Sequence, residues 1–212
     1  MTTKLRFVKT DGETDKATLR RYAKDRRAQN ENRDMKEALL IQNTLSLLNS
    51  LKGETVGAGT RLNAFVYLSY SSEAPTDGLI EALIKQGFSV FCPRIVGKEM
   101  ETVAFGEDFS LNERGIREPI GTATEEEMQF VITPFLAADK QGNRLGYGGG
   151  YYDRYFAKNE KAVRIGYGYD FQMIKRVPCE RTDIPLDYIV TEKQILKTDG
   201  RKTKNGEKLW DK

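Results

Sequence analysis

Residues 64–92 read AFVYLSYSSEAPTDGLIEALIKQGFSVFC. The first seven, AFVYLSY (64–70), form a short apolar, aromatic-rich run, the pattern of a buried strand. Thr76 is placed to cap a helix whose apolar residues are Leu79, Ile80, Leu83 and Ile84. Gly87 ends that helix, and FSVFC (88–92) is a second strand closed by Pro93. Strand, helix, strand predicts parallel pairing and an α/β domain.

The same alternation continues outward. Met100–Phe105 is a possible short strand, and MQFVIT (128–133) is another, closed by Pro134. VRIGYG (163–168) and DYIVT (187–191) supply two more. Towards the N-terminus, residues 16–33 read as a basic helix with Lys16, Arg20, Lys24 and Arg27 on one face. A second helix is expected from Met35 to Leu51, with Asp34 as N-cap and Gly53 as its stop. The expected architecture is a mostly parallel sheet with helices, in which ligands bind at the carboxyl ends of the strands. Residues 1–14 read as an arm, 15–196 as a single domain and 197–212 as a basic polar tail.

Composition excludes several chemistries. The chain of 212 residues contains no His, which removes Ser-His-Asp triads, Cys-His pairs and His-ligated zinc. Two cysteines, Cys92 and Cys179, are too few for a cysteine-rich metal site or a disulfide scaffold. A net charge of +3 does not by itself call for a nucleic-acid partner. No apolar run approaches a membrane span, and the first residues lack the apolar stretch of a signal peptide, so a soluble cytoplasmic protein is expected.

The chemically richest segment is 142–154, GNRLGYGGGYYDR. Gly146, Gly148, Gly149 and Gly150 let the backbone take positive φ and let a ligand approach bare peptide groups. Free N–H groups opening a helix make an anion site. Arg144 and Arg154 flank the loop and suit phosphate oxygens, and Asp153 suits a hard cation. The loop matches neither the P-loop nor the dinucleotide fingerprint. Read alone, it is a phosphate cradle or a flexible surface turn.

RLGYGGGYYDR resembles the signature of the 5-formyltetrahydrofolate cyclo-ligase family. Other segments resemble that family in the same order: Lys16-x-x-Leu19-Arg20; Tyr67 and Ser69 with Glu73 and Thr76; Pro93-Arg94; Gly115-Ile116-x-Glu118-Pro119; and Asp183 through Leu186-Asp187 to Val190-Thr191-Glu192. One departure is Thr182, where the family often has His. The resemblance implies a three-layer α/β/α sandwich with a mostly parallel, Rossmann-like sheet. It implies use of ATP and Mg²⁺ to convert 5-formyltetrahydrofolate to 5,10-methenyltetrahydrofolate, by phosphorylation of the formyl oxygen and ring closure by N10.

Under that resemblance Lys16, Arg20, Arg144, Gly146, Gly148, Gly149, Gly150, Tyr151, Tyr152, Asp153 and Arg154 form the ATP site. Tyr151 and Arg154 are the catalytic candidates, and Asp153 and Asp187 the metal candidates. Glu73, Tyr67 and Arg94 are candidates for folate binding; for Tyr67 a core role stays open, and for Arg94 an ATP contact. A monomer acting on folate, polyglutamylated or not, is expected, with no membrane or nucleic-acid partner. The competing readings are a non-catalytic nucleotide- or RNA-binding module using the basic helix, and a sugar-phosphate isomerase or CoA-transferase-like enzyme.

Overall fold

The computed structural model describes residues 15–55 and 61–199, so the arm 1–14 and residues 200–212 of the tail lie outside the described residues. Two helices come first, α1 (Lys16–Ala28) and α2 (Arg33–Thr55). The carboxylate of Asp15 accepts the N–H groups of Ala17 at 2.8 Å and Thr18 at 3.0 Å, which caps α1. The α2 helix starts one residue ahead of Asp34 and runs past Gly53, so neither residue marks the boundary expected of it. Its long apolar stripe, packed on the sheet, outweighs the low helix propensity of one glycine.

The expected βαβ unit is present as β1 (Asn63–Val66), α3 (Asp77–Lys85) and β2 (Ser89–Val96). Thr76 precedes α3 but makes no capping bond; its hydroxyl accepts the N–H of Ser69 at 3.1 Å and ties the strand exit to the helix entry. β3 (Glu99–Ala104) folds back antiparallel on β2, and β4 (Phe109–Leu111) and β5 (Arg117–Pro119) form a separate hairpin. Then follow β6 (Phe130–Pro134), the small hairpin β7 (Ala137–Ala138) and β8 (Arg144–Leu145), and α4 (Tyr151–Lys158). The chain ends in β9 (Val163–Tyr167), a 3₁₀ turn (Asp170–Gln172), β10 (Tyr188–Val190) and β11 (Ile195–Lys197), the last of which enters the segment read as tail.

Seven strands form one sheet in the order β11-β10-β9-β6-β1-β2-β3. The five central strands are parallel and the two edges antiparallel. Neighbouring residues point to opposite faces, as a pleat requires. Ala64, Val66, Phe130, Ile132 and Ile165 face α2 and α3. Phe65, Val131 and Ile189 face α4, where the Phe65 ring stacks on Tyr155 at 4.3 Å. The result is the expected three-layer α/β/α sandwich. The α1 helix belongs to neither main core: Leu19 and Ala23 pack with Leu136, Ala137, Leu145 and Val177, seating the helix on the β7–β8 hairpin. Among the described residues no helix is long and apolar enough to cross a membrane.

Candidate active site

The helix after β1 covers one face of the sheet and the helix after β6 covers the other. Adjacent parallel strands whose connections diverge leave a crevice at their carboxyl ends, where α/β proteins bind ligands. The β1–α3 connection carries Glu73 and borders one side of this crevice. The β6–α4 connection carries the glycine loop and borders the other.

The loop is held from beneath by α1. The Nε of Arg20 donates to the Gly146 carbonyl at 2.9 Å. Gly148 has φ +101, and a Cβ there would lie 3.2 Å from Cζ of Arg20. Gly150, with φ +65, precedes α4 in the left-handed conformation. Glycine is therefore demanded twice, by backbone sign and by the approach of an arginine. Lys16, one turn earlier on α1, pairs with Asp183 at 2.7 Å and Glu180 at 2.9 Å. Burial pulls its ammonium down, but these two carboxylates outweigh it and the net shift is upward.

Arg154, in α4, reaches back to the Gly149 carbonyl at 2.9 Å and across to the Lys98 carbonyl at 2.8 Å in the β2–β3 turn. Its guanidinium lies 5.1 Å over the Tyr151 ring, whose hydroxyl is 3.5 Å from the Gly97 carbonyl. Asp153 accepts the N–H of Ile184 at 3.1 Å and faces Arg144 at 3.4 Å. Arg144 is sequestered: its side chain is 5% exposed, it donates to Thr133 at 2.9 Å, and it lies over Tyr152 (5.0 Å) and Phe156 (5.5 Å). Burial lowers its pKa, opposed by Asp153. The expectation that Arg144 binds phosphate directly is thus corrected, because the guanidinium is enclosed by aromatic faces and spent on Thr133 and Asp153. Tyr152 is likewise packed under Arg144, with the guanidinium 5.0 Å over its ring.

Across the crevice Glu73 is 6% exposed and accepts the N–H of Tyr70 at 2.9 Å. Burial raises its pKa, while the Tyr70 N–H, Arg27 and Tyr147 pull the other way. Arg27, 3% exposed, donates Nε to Ser72 at 3.1 Å and Nη2 to the Tyr147 hydroxyl. Burial raises the pKa of the Tyr147 hydroxyl, and the nearby charge of Glu73 adds to it. Arg27 therefore ties α1 both to the glycine loop, through Tyr147, and to the β1–α3 connection, through Ser72. The sequence placed Arg27 on the basic face of the first helix without a role in the site, and did not single out Tyr147. Arg27 sits on the same helical face as Lys16 and Arg20, but its partner is 120 residues away, a distance that periodicity cannot bridge.

Three further expectations are corrected. Tyr67 is core: it is 3% exposed and its hydroxyl donates to the Ala74 carbonyl at 2.7 Å, which shapes the Glu73 loop from within. Arg94 braces the sheet edge, with Nε and Nη2 on Glu101 (3.0 and 2.7 Å) and Nη1 on the Gly121 carbonyl (2.7 Å). Asp187 lies by the amino ends of β9 and β10, opposite the loop. It is 3% exposed and accepts the Arg164 N–H at 2.8 Å, with the guanidinium at 3.3 Å. It does not meet Asp153. Among the described residues no three metal-ligating side chains cluster. A lone carboxylate still suits Mg²⁺, which takes one or two carboxylates and completes its shell with phosphate oxygens and water.

Comparison with known proteins identifies the family. Residues 13–192 match the model of the 5-formyltetrahydrofolate cyclo-ligase family. The chain is 32% identical over 141 residues to the 5-formyltetrahydrofolate cyclo-ligase of Escherichia coli K12, covering 61% of this chain and 78% of that one. It is 29% identical over 161 residues to the Haemophilus influenzae enzyme of the same name, covering 71% and 82%. Among solved structures it resembles the 5,10-methenyltetrahydrofolate synthetase of Aquifex aeolicus. There the TM-score is 0.68 at 29% identity, covering 89% of this chain and 96% of the other. With residues 13–192 matched, the chain belongs to the 5-formyltetrahydrofolate cyclo-ligase family of enzymes.

Proposed function

We propose that the chain converts 5-formyltetrahydrofolate to 5,10-methenyltetrahydrofolate with ATP and Mg²⁺. The observation that carries this reading is the pair of connections that leave the carboxyl ends of β1 and β6. One wall is a glycine cradle backed by cations, which suits a triphosphate. The other wall is a buried carboxylate, which suits the paired N–H donors of an amino-pyrimidine.

Phosphoryl transfer asks mainly for positioning and charge neutralisation. The N–H groups of Gly148, Gly149 and Gly150 and the start of α4 would bind the phosphates, aided by Arg20, Lys16 and Arg154. Asp153 would hold Mg²⁺, which neutralises charge on the transferring phosphoryl group. Tyr151, beneath Arg154 at the loop edge, would line the path between the two substrates. The formyl oxygen takes the γ-phosphoryl group, N10 attacks the activated carbon, and phosphate leaves as the ring closes. Arg144 acts one step back by fixing Asp153. A cytoplasmic monomer acting on folates, with or without a polyglutamate tail, fits this reading.

The basic face of α1 is turned to the protein's own loop: Arg20 holds Gly146, Arg27 holds Tyr147, and Lys24 lies 5.2 Å over the Tyr147 ring. That use of the charge favours the enzyme over an RNA-binding module. The test is a mixture of purified protein, 5-formyltetrahydrofolate and MgATP, followed by the near-ultraviolet absorbance of the methenyl product. Product that requires both ATP and Mg²⁺ is expected. Binding of RNA, with no turnover and no affinity for either substrate, would overturn the proposal.

A further inference from the structure

We propose that Arg144 is a positioning residue that closes Asp153 to free divalent cations, so that the metal is admitted only together with the triphosphate. This deepens the proposed function and rests on it. Nη2 of Arg144 lies 3.4 Å from both carboxylate oxygens of Asp153, and Oδ1 also accepts the Ile184 N–H at 3.1 Å. A cation that ligates either oxygen must therefore share it with a guanidinium. That guanidinium has nowhere to withdraw. Its side chain is 5% exposed, covered by the Tyr152 and Phe156 rings and anchored through Nη1 on Thr133 at 2.9 Å. Its Nε is buried with no hydrogen-bond partner among the described residues, so its charge is spent on Asp153 alone.

The neighbouring carboxylate is closed in the same way. Asp183, next to Ile184 in the chain, holds Lys16 at 2.7 Å and the Glu180 N–H at 2.7 Å. Each of these two acidic side chains thus carries its own cation. A bare divalent ion meets a neutral pair, and Asp153 cannot repay the hydration it gives up while Arg144 stands beside it. A triphosphate changes the balance, because its own oxygens bring the negative charge and further ligands. Nucleotide and metal are therefore taken up as one complex.

The probe is Mn²⁺, measured by equilibrium dialysis as metal retained with the full chain, alone and with a non-hydrolysable ATP analogue. The unaltered chain should hold Mn²⁺ about tenfold or more tightly with the analogue than without it. Arg144→Met should hold Mn²⁺ alone about tenfold or more tightly than the unaltered chain, a gain that loss of structure does not produce. Adding Asp153→Asn should abolish the gain. Melting curves identify the folded variants, and Arg144→Gln, which keeps a donor for Thr133, gives the same comparison if the Met variant does not fold. An unaltered chain that holds Mn²⁺ as tightly without the analogue as with it would overturn the proposal. So would a folded Arg144 variant with no gain, or a gain that survives Asp153→Asn. An unaltered chain that does not bind the analogue, with or without metal, would instead overturn the proposed function on which this stands.

Discussion

Asp153→Asn should destabilise the protein more than Arg144→Met, although both remove one half of the same ion pair. Breaking a buried pair costs about 3–5 kcal/mol when the remaining charge is left uncompensated. Arg144 fits that description, being 5% exposed with its Nε already lacking a hydrogen-bond partner among the described residues. The Arg144–Asp153 distance of 3.4 Å is long for a charge-assisted bond, and an Asn keeps an acceptor for Arg144 and Ile184. Both points lower the expected cost to about 2–3 kcal/mol. Arg144→Met leaves Asp153, which is 21% exposed, sits in the first turn of α4 and retains the Ile184 N–H. That variant loses chiefly the Thr133 bond and some stacking, about 1–2 kcal/mol. Urea unfolding followed by circular dichroism measures both. For a chain of this size, Asp153→Asn should lower the melting temperature by roughly 4–12 °C. The double variant should cost less than the sum, since the Met removes the charge that Asn left unpaired. An Asp153→Asn protein within about 0.5 kcal/mol of the parent, or more stable than Arg144→Met, would refute the reasoning. Activity lost in Asp153→Asn counts as loss of a metal ligand only at a temperature where the variant is folded.

Gly148→Ala should weaken binding of an ATP analogue by about tenfold or more, because φ +101 strains any side chain by about 1–3 kcal/mol and the new Cβ presses on Arg20; calorimetric titration checks this, and unaltered affinity would show that the loop does not need its present shape. Glu73 must be ionised to accept from an amino-pyrimidine, so kcat/KM for the folate should fall on acidification with a midpoint above the ordinary glutamate range, and Arg27→Gln should move that midpoint further up by deleting a cation that opposes the burial shift. The sign for stability follows: a carboxyl raised on folding is stabilising below its unfolded value, about 4.3, and loses that contribution as pH rises through the folded value, so Arg27→Gln should cost more at pH 7 than at pH 4 by urea unfolding. Lys16→Met should raise KM for ATP several-fold with little change in kcat, and a kcat loss at unchanged KM would move Lys16 from binding to the chemical step.

The fold was legible where side-chain periodicity and a stop residue coincided. Leu79, Ile80 and Leu83 between two apolar runs announced α3 and the parallel pair around it, and the structure buries all three completely. What periodicity cannot see are two- and three-residue strands. The β4–β5 and β7–β8 hairpins are too short to show alternation, yet β7–β8 delivers the glycine loop and receives α1. The glycine loop was legible because its composition has few uses. Asp187 was misread for a related reason: a carboxylate beside a strand looks free until the register Tyr188↔Ile165 sets it against Arg164 on the next strand. Tyr147 stood inside the quoted motif without an assigned role, because its partner Arg27 comes from another element.

The charged groups around the crevice share one property with a consequence for ligand choice. Lys16 is held by Asp183 and Glu180, Arg20 by a carbonyl, Arg154 by two carbonyls, and Glu73 by a backbone N–H. A ligand therefore gains only the difference between its own bonds and those it replaces. A carboxylate offered to Lys16 merely repeats what Asp183 supplies, and a neutral hydroxyl offers Arg20 and Arg154 less than a carbonyl does. A triphosphate differs because it presents several charged oxygens at once to Arg20, Lys16, the loop N–H groups and the start of α4. Charge-assisted bonds there exceed the carbonyl bonds they displace. The exchange favours multiply charged phosphates over singly charged anions. Inorganic sulfate at equal concentration should thus compete poorly with ATP, and one that competed as well as pyrophosphate would show these cations to be free rather than held.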